Sequence, residues 1–231
     1  MLEALKEKVY LANMRLRDEG LVVLTWGNAS AFDPETRLVV IKPSGVGYGT
    51  MKPEDMVVVN LDGRVVEGGL RPSSDTPTHL EFYRSFKGVF GAVHTHSAEA
   101  TAWAQACREI PCYGTTHADC FHGPVPVTRF LTEEEVDSAY ELNTGKVIVE
   151  FFRGRDPLAQ PGVLVAGHAP FTWGADVMKA VDNAVSLEQI ARMARLTERL
   201  RGDSSLKTLP AYISEKHYMR KHGPNAYYGQ K

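Results

Sequence analysis

The run MVVVNLDGRVVEG, residues 56–68, most constrains the fold of this chain. Valine-rich stretches flank Asp62-Gly63, and Asp-Gly between two such stretches reads as a tight hairpin turn. A hairpin pairs antiparallel strands, which argues against a doubly wound parallel sheet. LVVLTWGNASAF (21–32) and RLVVIKPSG (37–45) read as strands joined through Asp33-Pro34, and KVIVEFF (146–152) and GVLVAGHAPFTWG (162–174) as further strands. Helices alternate with them. Leu5, Val9, Ala12 and Leu16 recur at helical spacing before Gly20. SSDTPTHLEFYRSF opens a helix with Pro77 near its first turn. Thr132 and Glu135 have capping-box spacing for a helix from 133 to about Leu142. Residues 175–201 form a long amphipathic helix ended by Gly202. A last helix starts at Leu209-Pro210 and stops at Gly223-Pro224, leaving a short tail. The reading is a layered α/β or α+β domain with a mixed, largely antiparallel sheet.

The chain has 231 residues, 43% hydrophobic and 23% charged, which suits a single domain over 1–231. A net charge of −2 without a basic block gives nucleic acid no electrostatic foothold. No apolar run reaches the roughly 20 residues of a membrane span, and the first residues lack a signal-peptide core. Cys107, Cys112 and Cys120 are odd in number and form no C-x-x-C pair, as expected of reduced thiols in a cytoplasmic protein.

The stretch GAVHTHSAEATAWAQA, from Gly91, carries the chemistry. His94 and His96 flank Thr95 after an apolar, β-prone run, so both imidazoles project from one face of a strand end. Ser97 stands where it can cap the following helix. His168, at the end of VLVAGH, and Asp75, in PSSDTPTH, occupy comparable places. Together they make a three-nitrogen, one-oxygen set suited to Zn²⁺ or a related divalent ion. Each alone has another reading, Asp75 as a helix cap and His168 as a turn residue. His79, His117, His122, His217 and His222 are looser candidates. TWGNAS, KPSG and RPSSD place Gly, Ser and Asn after strands, the composition of turns and equally of phosphate cradles. There Asn28, Ser44, Gly45, Ser73 and Ser74 are candidate donors and Lys42 a point charge. One of these turns runs directly into the carboxylate of Asp75.

TWGNAS, IKPSGVGY, PSSDTPTH, VHTHS, GTTHAD, PGVLVAGHAPFTWG and KHGPNAYYGQ resemble the L-ribulose-5-phosphate 4-epimerase family of the class II aldolase/adducin head superfamily, across essentially the whole chain. The resemblance implies a three-layer αβα fold assembled as a homotetramer with sites at subunit interfaces. It implies Zn²⁺, or another divalent ion such as Mn²⁺, on Asp75, His94, His96 and His168. It assigns phosphate binding to Gly27, Asn28, Lys42, Ser44, Gly45, Ser73 and Ser74, and an acid/base pair to Asp119 and Tyr228. The tyrosine lies on a tail (224–231) expected to reach a neighbouring subunit. Thr115, Glu141 and His217 receive supporting roles. The implied substrate is a phosphorylated ketopentose, inverted at C4 by breaking and re-forming C3–C4. Asp75, where related aldolases carry a Glu, and Tyr228 favour epimerase. An aldolase or dehydratase on the same scaffold and a non-catalytic adducin-like module are the alternatives. One departure stands at Ala166 and Ala169, around the third histidine, where altered hydrogen bonding behind the metal ligand is expected.

Overall fold

The computed structural model describes residues 2–201 and 207–228. Its elements, in chain order, are α1 (Glu3–Asp18), β1 (Asn28–Asp33), β2 (Leu38–Ile41), a 3₁₀ turn (Pro53–Asp55), β3 (Val57–Asn60), β4 (Val65–Glu67), α2 (Thr76–Ser85) and β5 (Gly91–His94). They continue with α3 (Ala98–Gln105), α4 (Thr115–Ala118), α5 (Glu133–Phe151), β6 (Gly162–Leu164), β7 (Pro170–Gly174), α6 (Val177–Arg201) and α7 (Ala211–His222). Gly202, expected to end α6, lies outside the described residues. None of the described helices is long and apolar enough to cross a membrane.

The strands form one sheet in the order β4-β3-β2-β1-β5-β7-β6, with every neighbouring pair antiparallel. Among the described residues one parallel bridge, Val127 to Leu164, joins a loop residue to β6. The fold is therefore an α/β three-layer domain. On one face, Val9, Ala12 and Leu16 of α1 and Val177, Ala180, Val181 and Ala184 of α6 bury Ala29, Ala31, Val40, Val58 and Val93. On the other, Leu80 and Phe82 of α2, Phe86 just after it and Ile148 of α5 bury Val39, Ile41, Val57, Val59, Ala92, Phe171 and Trp173. Strand periodicity sorts these residues: Val57 and Val59 face α2 while Val58 faces α1. Burial on both faces explains the continuous valine run of β3, whereas Val65 and Val66 of the edge strand β4 are exposed.

Three sequence expectations need correction. KVIVEFF is the C-terminal half of α5, not a strand. Its β-branched residues favour a strand locally, but Ile148 and Phe152 are four apart and face the α2 core, so packing overrides propensity. Gly145 permits this close approach, since a Cβ there would lie 2.9 Å from Glu81 Cβ. In LVVLTWGNASAF only Asn28 onward is strand. Leu21–Gly27 is a loop whose Gly27, at φ 76°, passes so close that a Cβ would stand 2.8 Å from the His94 carbonyl. Ser97 is the N-terminal boundary residue of α3, but its side chain makes no cap. Glu188, from α6, accepts the Glu99 and Ala100 N–H groups at 2.9 Å each instead. A carboxylate at a helix N-terminus is favoured by both hydrogen bonding and the helix dipole.

Glu188→Ala removes both bonds and is expected to lower stability by about 1–2 kcal/mol. That is a drop of about 2–8 °C in Tm for a domain of this size, read by thermal unfolding; the Ser97→Ala melt should stay close to wild type.

Candidate active site

The site forms at one end of the sheet on the α2/α5 face. Antiparallel pairing sets Asn28 of β1, His94 of β5 and Phe171 of β7 side by side. His94 is buried, stacks on the Phe171 ring at 4.1 Å, and hydrogen-bonds through Nδ1 with the Pro170 carbonyl at 3.0 Å. That bond assigns the ring proton to Nδ1 and turns the Nε2 lone pair into the site. His96, two residues on and exposed at the cavity mouth, brings its Nε2 to 3.1 Å from that of His94.

His168 arrives on the turn between β6 and β7. This turn is closed by Val165 N–H to Ala169 O and His168 N–H to Val165 O, both 3.0 Å, with Gly167 in the left-handed region at φ 70°. At the departure noted in the sequence, Ala166 N–H donates to Thr128 Oγ1 at 3.2 Å, while the His168 ring bonds through Nδ1 to the Tyr140 hydroxyl at 3.1 Å.

The three histidines offer ligand atoms within 4.8 Å of one another. Burial lowers all three ring pKa values, to about 3 for His94 and about 4 for His168, so the imidazoles are neutral at pH 7. Neutral nitrogens are what a metal needs. An ion bound at about 2.0–2.1 Å in tetrahedral geometry separates its ligand nitrogens by about 3.3 Å, close to the His94–His96 spacing. The residues fit a divalent ion. Asp75 lines the same cavity outside the histidine cluster, its Oδ2 accepting from Asn28 Nδ2 at 2.6 Å.

The cavity has a volume of about 570 Å³. Gly27, Asn28, Lys42, Ser44, Gly45, Ser73, Ser74 and Glu141 line it with Asp75 and the histidines. The KPSG and RPSSD turns are zipped together by Ser44 N–H to Arg71 O at 2.9 Å and Ser73 N–H to Lys42 O at 3.0 Å. Those two backbone donors are used within the turns, while Ser44, Gly45, Ser73 and Ser74 all line the cavity. Asn28 donates to Ser73 Oγ and Asp75, while its own Oδ1 is buried and accepts nothing. Lys42 is buried, with Nζ donating to Val46 O at 2.9 Å and packed 4.9 Å from the Tyr48 ring centre. Burial lowers its pKa to about 8, so the ammonium is still largely charged at pH 7 and loses its charge as the pH rises above that value.

Asp119, His217, Tyr228 and Thr115 do not line this cavity. The first three gather where α4 meets α7. Asp119 accepts from Arg220 Nη2 at 2.6 Å and Nε at 3.0 Å, and from His217 Nδ1 at 3.1 Å. Burial opposes ionisation of Asp119, but the Arg220 and His217 bonds together hold its carboxyl below the usual range. Tyr228 is exposed, its ring 4.7 Å from the Arg220 guanidinium and 4.6 Å from Lys221 Nζ. Among the looser histidine candidates, His117 bonds Gly123 O, His122 pairs with Glu215, and His222 bonds Asp119 O. His79 is buried against Ser30, its Nδ1 2.7 Å from Ser30 Oγ. None of these belongs to the metal cluster. Tyr140 and Trp26 line the cavity and were not singled out from sequence. Glu141 pointed to the neighbourhood of Tyr140, but the helix break that aims both inward leaves no mark in composition.

This fold and site define the class. The sequence profile of the family described as Class II Aldolase and Adducin N-terminal domain matches residues 7–195, and the chain belongs to that family. It is 57% identical, over 230 residues and the full length of both chains, to L-ribulose-5-phosphate 4-epimerase UlaF of Salmonella paratyphi C (strain RKS4594). Identity to the protein of the same name from Salmonella choleraesuis (strain SC-B67) is also 57%, over 100% of each chain. Among solved structures, an L-fuculose 1-phosphate aldolase superposes with a TM-score of 0.78 at 25% identity, covering 94% of this chain and 95% of its own. YgbL from Klebsiella pneumoniae, titled a putative aldolase/epimerase/decarboxylase, shares the fold with a TM-score of 0.72 at 24% identity, over 94% and 99% of the two chains.

Two outcomes are expected. His96→Asn should lose bound metal, measured by elemental analysis after dialysis, with little change in the melt of metal-free protein, because His96 sits at the exposed cavity mouth. Inorganic phosphate should bind wild type more weakly as pH rises through the Lys42 value of about 8. Relative to Lys42→Met, affinity measured by calorimetry should fall by about tenfold between pH 7 and pH 9.

Proposed function

We propose that this chain is an L-ribulose-5-phosphate 4-epimerase, interconverting L-ribulose 5-phosphate and D-xylulose 5-phosphate. The observation that carries the reading is the cavity itself. Three neutral imidazoles and a Ser/Lys-lined turn pair share one space, in a chain 57% identical end to end to proteins of that name. We assign zinc to the site, with manganese as the alternative.

The chemistry explains this combination. C4 of the ketose is β to the C2 carbonyl, so its C–H is not acidified and cannot be inverted cheaply by proton removal. Breaking C3–C4 succeeds because the electron pair left on C3 delocalises into the C2 carbonyl. A bound divalent ion supplies Lewis-acid stabilisation of that charge. His94, His96 and His168 would hold the ion, with the Asp75 carboxylate in the same cavity as a fourth ligand.

The chain's own groups handle protons and position. A carboxylate, assigned to Asp119, takes the C4 hydroxyl proton as the bond breaks and an aldehyde forms. Lys42, Asn28 and the Ser44, Ser73 and Ser74 side chains grip the phosphate, so the aldehyde fragment turns without leaving. When C3 adds to its opposite face, the new alkoxide takes a proton from a phenol, assigned to Tyr228. Proton exchange with solvent then restores both groups.

Asp119 and Tyr228 stand away from the cavity of their own chain, so the reading places them in a neighbouring copy's site. The site is then completed at subunit interfaces of a homotetramer, with the tail beyond Gly223 reaching across.

The test is conversion of L-ribulose 5-phosphate with and without a chelator, while free aldehyde is trapped. Metal-dependent inversion with little trapped aldehyde is expected; stoichiometric glycolaldehyde phosphate would make the protein an aldolase instead. The shared site has its own check. His96→Asn and Asp119→Asn, each nearly inactive alone, should recover up to about a quarter of wild-type activity when subunits are mixed and reassembled. No recovery in verified hybrids would place both groups in one subunit's site.

A further inference from the structure

Helix α5 is interrupted where it passes the cavity. Ala139 leaves helical geometry, with φ −164° and ψ 76°, between the Thr132-capped first turns and the long segment packed on α2. Carbonyls along this stretch are taken up by side chains. Asn143 Nδ2 donates to Glu135 O at 2.7 Å, Thr144 Oγ1 to Tyr140 O at 2.9 Å, and Thr78 Oγ1 of α2 to Glu141 O at 2.5 Å. The break is thus a supported part of the fold. Its consequence is that Tyr140 lines the metal cavity and its hydroxyl stands 3.1 Å from His168 Nδ1.

Of the cluster imidazoles, His94 and His168 are hydrogen-bonded through Nδ1 to an oxygen. The Pro170 carbonyl, an acceptor only, serves His94. His168 sits on a β-turn and has Tyr140 as the partner of its ring. A histidine with Nδ1–H held by an oxygen presents Nε2 as its ligand atom.

We infer that Tyr140 is a positioning residue for the metal: its oxygen accepts the His168 Nδ1–H, fixing the tautomer and ring angle that aim Nε2 at the ion. The inference rests on the three-histidine metal reading and extends it to a residue outside the ligand set. It also gives the break at Ala139 a purpose, since an unbroken helix would carry Tyr140 to another heading.

The experiment uses full-length Tyr140→Phe, which keeps the ring and removes only the oxygen. Zinc affinity is measured by competition with a chelating dye, alongside wild type and His168→Ala. The tautomer is read separately on metal-free protein from the His168 ring nitrogen shifts. Expected are zinc binding weakened about 10–100-fold, an Nδ1–H tautomer in wild type that becomes mixed in the variant, and metal-free melts that coincide. Zinc affinity within about twofold of wild type with an unchanged tautomer would overturn the inference and leave the metal site standing. Wild type that binds zinc no better than His168→Ala would overturn the metal reading, and this inference with it. A lowered metal-free melt for Tyr140→Phe, with the tautomer unchanged, would show a packing role and overturn the positioning role.

Discussion

The register of β5 between β1 and β7 is the constraint on which the site depends. It puts His94 opposite Asn28 on one side and Phe171 on the other. One residue of slip would send His94 to the α1/α6 face, where apolar side chains fill the space. The register is protected by close approaches that larger residues would block. A Cβ on Gly91 would lie 2.3 Å from the Asp176 carbonyl, and one on Gly27 would meet His94 O. The core therefore specifies the site: the packing that stabilises the sheet also aligns the first histidine.

Two kinds of support surround the cavity. The buried one is rigid: Phe171 stacked on the His94 ring, a carbonyl behind Nδ1, and the zipped turns holding Lys42 and Ser73. The second comes from α5, which contributes Tyr140 and Glu141 after its break. Three clustered neutral nitrogens are poorly satisfied by protein alone, and in the same cavity lies a buried lysine held by backbone carbonyls. In the proposed reaction a divalent cation joins the three imidazoles and the substrate phosphate joins Lys42. That pairing suits a phosphorylated substrate whose reacting carbons span the gap.

Much of this was legible in the sequence because periodicity and spacing are local. His94-Thr95-His96 after an apolar run, the Asp-Gly hairpin and the Thr132/Glu135 box each fix their own geometry. The errors came where distant residues decide. KVIVEFF reads as strand until α2 offers Ile148 and Phe152 a surface. Ser97 reads as a cap until Glu188 arrives from α6. Asp75 could be placed at the cavity from sequence, but not its engagement by Asn28. Tyr140 was missed because only a break in α5 brings it inward. Asp119 and Tyr228 could be named through the family resemblance, yet their separation from the cavity of their own chain becomes visible only in three dimensions.

The most direct test of the central claim is anomalous diffraction at the zinc edge from crystals grown with zinc and inorganic phosphate. The account predicts a peak within bonding distance, about 2.0–2.1 Å, of nitrogens from His94, His96 and His168, with phosphate in the same cavity near Lys42 and Ser44. Zinc bound elsewhere, or a cavity holding phosphate while the three imidazoles bind no ion, would contradict it.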